Sequence, residues 1–482
     1  MSKQSVGLKR RRLWVWIALL VGLVFFGLGG YGLWYYSQRE EPVAYPTDPV
    51  ELYKYAPIGT EKRIGIPYLV WKVLPQVCSA KLPGGYRSLG FVYEAGQDRP
   101  IGLAIRTIGI QRIAPNCALC HTGTVRQGAP GQSQVILGMP AHQLHLQQYV
   151  DFLHDCASDS RAFNSDAVMA AIEKQARLPW LDALVYRYLI IPETGKALQA
   201  LDEQFPWHSE AYPQPSYGPG RVNTFFVFQI EYGLRADPIG VVDFPSVWNQ
   251  APRDGLYLHW DGNNDSLAER NKSAAISAGA TADSVDLYSL DRVEEWLKQL
   301  PAPKYPFPID DRLAAEGNPI YQANCARCHD LAARDRIGIV TPIEEIGTDP
   351  HRLDSFTPEL VQRMNTIATG YPWRFTRFRK STGYANMPLD GIWARAPYLH
   401  NGSVPNLREL LEPPPKRTKL FYRGYDAYDP DNVGFIFAGP EAERFGFAFD
   451  TLLPGNSNRG HVYGADLSSE QKKALLEFLK TQ

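Results

Sequence analysis

Residues 116–124 read N-C-A-L-C-H-T-G-T, and residues 324–330 repeat the pattern as N-C-A-R-C-H-D. Each stretch contains C-x-x-C-H: Cys117, Cys120 and His121 in the first, Cys325, Cys328 and His329 in the second. Two thiols at this spacing add to the two vinyl groups of one haem, and the next residue turns its imidazole onto the iron. The doubled motif therefore predicts two covalently bound haem c groups. A closed zinc site needs four ligands, and the chain has no further C-x-x-C to supply them. A redox dithiol has no need of the following His.

The chain has 482 residues, enough for two buried cores. Its net charge of -1 gives no sign of a nucleic-acid partner, and 40 Gly with 38 Pro favour long loops around large cofactors. Lys3, Lys9, Arg10, Arg11 and Arg12 precede Leu13 to Tyr36, a run of 24 residues without a formal charge. This run is long enough to span a bilayer. Trp14, Trp16, Tyr31, Trp34, Tyr35 and Tyr36 cluster near its ends as interface anchors, and the basic flank stays cytoplasmic. The run exceeds an ordinary signal-peptide core, and no A-x-A site closes it, so an uncleaved single-pass anchor in the inner membrane is preferred over a cleaved signal. Either reading places the bulk of the chain in the periplasm. Cys78 and Cys156 remain after the haem thiols are assigned, and there they pair as a disulfide or stay as buried thiols.

The fold class expected is mainly α: two cytochrome c-like haem domains with long loops and a few short strands, plus one N-terminal transmembrane helix. The boundaries are 1–36 for the cytoplasmic tip and anchor, 37–57 for a tether, 58–300 for the first haem domain, 301–310 for a Pro-rich connector and 311–482 for the second. Phe91 to Tyr93 and Ile101 to Ile105 read as short strands. Helices are predicted at 140–156, 165–177, 181–191 (ending at Pro192), 291–300, 311–325 and 468–481. Ser468 with Gln471 gives the last of these a capping box. Residues 216–272 lack a sustained period and read as a long loop region that wraps a haem edge.

Function turns on the distal ligands, since a strong sixth ligand makes an electron carrier and an open position admits an oxidant. For the second haem the candidates are His461, Met387 and His400. His461 is preferred because it sits on a loop just before the last helix. For the first haem Met139, His142, His145 and His154 lie near, yet each reads more readily as packing or surface, and an open iron is preferred. Trp248, Trp260, Trp373 and Trp393 are candidates for an indole between the haems, though core filling explains them as well. Asp261, Asn263, Asn264 and Asp265, or Asp429, Asp431 and Asn432, offer oxygen ligands for Ca²⁺, or simple Asx turns.

Residues 387–411, M-P-L-D-G-I-W-A-R-A-P-Y-L-H-N-G-S-V-P-N-L-R-E-L-L, resemble the A-P-Y-F-H-x-G-S segment of the bacterial di-haem cytochrome c peroxidase superfamily. The N-C-A-L-C-H-T-G-T site and the G-N-S-N-R-G-H tail are closer to the branch that contains the di-haem rubber oxygenase. The resemblance implies two cytochrome c domains sharing an interface, with His121 on the iron of the reactive haem and with His329 and His461 on the other. It implies electrons passing through the C-terminal haem to peroxide or dioxygen at the N-terminal one; the membrane tether suits service to a respiratory chain, with a small cytochrome or a respiratory complex as the redox partner. The Met that closes the second haem of the peroxidases falls here in Pro413-Pro414-Pro415, so that ligand is absent. The alternative is a pure electron-transfer cytochrome with both haems six-coordinate.

Overall fold

The computed structural model describes residues 3–128, 131–205, 207, 216–332 and 336–482. Helices hold 42% of the residues and strands 12%, which makes the chain mainly helical as expected. The first helix, Lys3–Ser37, contains one segment, Trp14–Gly32, that is long and apolar enough to cross a membrane or to act as a signal sequence. The side chains of its basic flank lie outside the described residues.

Residues 37–57 carry more structure than a spacer. The amide of Gly109 donates to the carbonyl of Arg39 at 2.6 Å, and Glu41 donates to Thr107 at 3.1 Å. The Glu40 carboxylate pairs with Lys62 and Arg106 at 2.7 and 2.9 Å. The chain then enters helix Pro49–Tyr55, capped by Asp48 and opened by Pro49, where a proline costs no hydrogen bond. Leu52 and Tyr53 of this helix are fully buried against the first haem motif.

Strands Ile66–Pro67, Ile110–Pro115 and Leu103–Ile108 form an antiparallel sheet. Phe91 to Tyr93, expected as a strand, is irregular because its neighbour offers one hydrogen bond, Ile101 to Val92, and no ladder. The helix expected from Pro140 starts at Leu146. Met139 to Ala141 turn into the core, and His145 serves as N-cap, its Nδ1 accepting from Gln148. Nor does Pro192 end its helix. A π turn at Tyr186–Ile190 lets the chain pass from Trp180–Val185 into Ile191–Gln199, with the proline in the new first turn. Residues 216–272 hold a two-stranded sheet, Arg221–Val222 with Val242–Asp243, helix Phe226–Glu231 and the start of helix Leu267–Ser277. Cys78 and Cys156 are bonded, their Cα atoms 5.7 Å apart, which joins the end of helix Tyr68–Val77 to helix Leu146–Ser158.

The strand leaving the first haem motif, Thr122–Gln127, pairs with Ser133–Leu137 on one side and, in parallel, with Ala427–Asp429 on the other. One apolar core accordingly contains Met139 and Trp248 together with Tyr321, Trp393 and Leu475. In the C-terminal half, helix Asp311–Asn324 leads into the second motif and packs on helix Ser469–Lys480. Gly317 permits the approach: a Cβ there would stand 2.1 Å from the carbonyl oxygen of Ala474. The capping box of Ser468 and Gln471 is formed as the sequence predicts.

Candidate haem sites

Cys117 to Cys120 form a single helical turn whose N-cap, Asn116, holds it in place. Its Oδ1 accepts from Ala118, while its Nδ2 donates to Ala56 at 2.9 Å and to Tyr53 and Lys54 at 3.3 Å. The motif is thereby tied to the open carbonyls at the end of helix Pro49–Tyr55. The Tyr53 hydroxyl adds a bond to the carbonyl of His121 at 2.6 Å. Gly102, at φ +89°, lies so close that a Cβ would stand 2.1 Å from the Leu119 nitrogen, which only glycine satisfies.

His121 places Nδ1 2.8 Å from the carbonyl of Pro245, and His329 places Nδ1 2.7 Å from the carbonyl of Met387. In both, the carbonyl fixes Nδ1 as the protonated nitrogen and leaves Nε2 as the lone-pair donor, the arrangement of a metal-ligating imidazole. Burial, with Arg270 nearby, pushes the His121 pKa down to about 4, and burial also lowers that of His329. Both rings are therefore neutral and able to ligate.

The two sites differ on the opposite side. His461 faces His329 with ring centroids 6.2 Å apart. Two metal–nitrogen bonds of about 2 Å, end to end, separate two imidazole centroids by roughly that distance. His461 sits at φ +44° beside Gly460, which passes so near Gly347 that a Cβ would stand 2.3 Å from its carbonyl carbon. Arg417 locks the loop, donating to the carbonyls of Leu410, Glu412, Asn458, Gly460 and His461 at 2.6 to 3.1 Å. Burial, His329 and Arg417 push the His461 pKa down to about 3. Met387 acts here through its backbone, as the acceptor for His329. His400 stacks on Tyr384 at 4.0 Å and belongs to a separate buried group with Asp349 and Arg352.

His121 opens instead on a cavity of roughly 750 Å³. Its walls are largely apolar, with Leu103, Leu153, Phe225, Phe226 and Phe378 among them. None of the four nearby candidates lines it. Met139 is buried against Gly123, His142 donates from Nε2 to the carbonyl of Thr124 at 2.9 Å while stacked on Phe435, His145 caps its helix, and His154 meets the carbonyl of Gln199. The imidazole that does line it is His259. His259 is held at φ +61° by a buried turn: Leu258 pairs with Asn264, and Trp260 donates to Asp243. Its Nε2 is sealed from solvent without a hydrogen-bond partner, and Arg270 and Arg352 stand close enough to help burial push its pKa well down. The tetrad H-W-D-G carried no motif to mark it in the sequence.

Asp261 pairs with Arg352, and Asp265 with Arg377 and Arg379, so guanidinium groups occupy the carboxylates considered for Ca²⁺. Asp429 accepts from the amides of Asp431 and Asn432 in an Asx turn. Trp248 and Trp260 line the cavity, Trp393 is buried in the shared core, and Trp373 packs on Phe375.

These residues fit haem c. Burial raises the thiol pKa of Cys117 and Cys325 to about 11 and of Cys120 to about 12, so these thiols hold their protons unless a haem or a metal ion displaces them. Among the described residues no group of three or more His, Cys, Asp or Glu is placed to hold one. Both imidazoles keep Nε2 as the lone-pair donor, and His461 faces His329.

A family described as RoxA-like, cytochrome c-like matches residues 383–422, the stretch that carries Met387, Arg395 and His400. The chain thus contains a RoxA-like cytochrome c-like domain, and such a domain implies covalently bound haem c. Two curated proteins of Sinorhizobium fredii are similar: uncharacterized protein y4iJ, 29% identical over 335 residues, and uncharacterized protein y4iM, 32% identical over 286 residues. Each alignment covers 50% of this chain, and 54% and 65% of the relatives. The chain spans between about half and two thirds of the length of these relatives.

Proposed function

We propose that the protein is a membrane-anchored, extracytoplasmic di-haem c-type cytochrome of the di-haem peroxidase type, an oxidoreductase that passes electrons through the C-terminal haem to peroxide or dioxygen at the N-terminal one. One observation carries this reading: His329 is faced by a second imidazole at 6.2 Å, whereas the cavity on which His121 opens, which must also house the haem itself, brings no second imidazole to that span. Among the described residues no imidazole faces His121 as His461 faces His329.

Cys117 and Cys120 hold the N-terminal haem and Cys325 and Cys328 the C-terminal one, each through two thioether bonds. Bound there, haem supplies one-electron chemistry and, where an axial position is open, a place for the oxidant. Pro245 and Met387 keep His121 and His329 in the ligating tautomer through their carbonyls. His461 and Arg417 keep the second site closed. The walls of the first are largely apolar, and His259 gives it one neutral hydrogen-bonding group. The disulfide and the apolar first helix support an oxidising compartment outside the cytoplasm, with the redox partner a small cytochrome or a respiratory complex.

The test is the electron paramagnetic resonance and absorption spectrum of the ferric protein, followed by peroxide, and by carbon monoxide after reduction. One low-spin and one high-spin haem, the latter responding to both, is the expected result. Two low-spin haems inert to both ligands would overturn the oxidoreductase and leave an electron carrier.

A further inference from the structure

Helix Trp180–Val185 and the π turn Tyr186–Ile190 that continues it carry apolar side chains on both faces. Tyr186 is buried in the core around the first disulfide-linked helices, and Ala183 and Ile190 pack against the same core. On the outer side Trp180, Leu181, Leu184 and Tyr188 are 76, 48, 44 and 73% exposed. Their spacing sets them along one stripe, where a helix on the surface of a water-soluble domain carries polar groups. Tryptophan and tyrosine at the ends with leucine between them is the composition of a segment that lies in the headgroup layer of a bilayer. Lys174 and Arg177, exposed ahead of Trp180 beside Glu173, add cations suited to lipid phosphates.

The membrane-spanning segment ends close to this stripe. Helix Lys3–Ser37 runs on from Gly32 to Ser37, which carries the chain about 8 Å beyond the apolar segment, roughly the depth of one headgroup layer. The Arg39 carbonyl then accepts from Gly109 at 2.6 Å, and Glu40 bridges to Ile108. With Trp14–Gly32 in a bilayer, the turn between strands Leu103–Ile108 and Ile110–Pro115 sits at its surface. The second strand leads from that turn to the helix that bears the stripe. Ile110 and Ile113 share a core with Tyr186, and Arg112 stands close enough to the Tyr186 hydroxyl to oppose the rise in pKa that burial imposes.

We propose that Trp180, Leu181, Leu184 and Tyr188 seat in the headgroup layer of the membrane that holds the anchor, giving the protein a second contact with lipid and a fixed orientation on it. The inference rests on the anchored reading. A single spanning helix leaves the body free to turn about it, and a second contact removes that freedom. Ile190, Thr194 and Ala197 also line the first cavity, so docking brings that wall of the first site to the lipid surface.

The experiment uses the full-length holoprotein in vesicles of phosphatidylethanolamine and phosphatidylglycerol, with a bimane fluorophore on Leu184→Cys and, separately, on Leu181→Cys and Lys473→Cys. Cys78 and Cys156 are bonded and the other four of the six cysteines belong to the haem motifs, so the introduced thiol is the reactive one. Each variant is compared with itself in lipids with and without acyl-chain bromine, which cancels quenching by haem. Bromolipid should lower the emission at positions 184 and 181 and leave position 473 unchanged, while iodide in the water quenches position 473 and spares the other two. Labels at 184 and 181 that iodide reaches and bromolipid does not, or equal bromolipid quenching at all three positions, would overturn the proposal. If Leu184→Cys fails to retain haem, Leu181→Cys decides by the same comparison. An intact mass showing the chain cleaved ahead of Glu40 would defeat the anchored reading itself, a separate result from an uncleaved chain whose labels stay in water.

Discussion

His461 and His259 occupy comparable positions, each a non-glycine residue at positive φ on a loop held by buried hydrogen bonds, yet they differ in what they face. Backbone strain at such positions is retained where the surroundings over-determine it, as the five carbonyls gathered by Arg417 do for His461. On the proposed ligation, removing the His461 imidazole leaves His329 as the one imidazole of the second site. His461→Ala should therefore convert the C-terminal haem from low-spin to high-spin while the Arg417 clamp keeps the loop folded. Ferric electron paramagnetic resonance checks this, and an unchanged low-spin signal would transfer the ligand role to another residue. His259→Leu should leave the spin state of the N-terminal haem as it is and change only the C–O stretching frequency of its carbonyl adduct. A spin-state change there would make His259 a ligand instead. In the sequence His461 stands out by its place before the last helix and the C-x-x-C-H residues by chemistry that is local in the chain, and the structure brings His461 opposite His329. The sequence did not mark His259, because a residue brought to a cavity by a turn of buried Asp and Asn side chains leaves no periodic or spaced signal.

At the scale of elements, the contact of helix Asp311–Asn324 with helix Ser469–Lys480 is the scaffold of the second site, since Cys325 follows directly from the first of these. Gly317 lies where the two helices approach closely, and its φ does not require glycine, so space alone decides the substitution there. Gly317→Ala should force the helices apart at Ala474 and destabilise the protein by about 1–3 kcal/mol, the range for overpacking. Thermal unfolding followed in the visible bands of the haem checks this, and an unaltered midpoint would show that the helices separate without cost. Both helices were legible because their apolar spacing and the Ser468–Gln471 box are local. Two helices were misplaced for equally physical reasons. Pro140 and Pro192 read in the sequence as helix opener and helix stop, whereas the burial of Met139 to Ala141 and the π turn before Ile191 decide where those helices begin and continue.

At the scale of the molecule, the two halves share backbone and charge. The parallel pairing of Thr122–Gln127 with Ala427–Asp429 is invisible in a linear reading, because neither strand is long enough to announce a partner some three hundred residues away. The buried ion pair between Arg423 and Asp243, at 2.9 and 3.0 Å, spans the same junction. Asp243 lies beside Pro245, the acceptor for His121, and its backbone amide donates to His400 while its carbonyl accepts from Trp260. Arg423→Ala leaves a buried carboxylate whose remaining cation, Arg221, stands 3.7 Å away, without a hydrogen bond between them. The loss should cost about 3–5 kcal/mol, the range for removing one partner of a buried pair. Because Asp243 touches elements of both halves, the destabilisation should appear, on the di-haem reading, at both haem sites together, as one cooperative transition shifted to lower temperature. Differential scanning calorimetry beside the visible spectrum tests this. Two separate transitions, of which Arg423→Ala moves only the C-terminal one, would show that the halves melt as independent units and that the shared strand and ion pair couple them weakly.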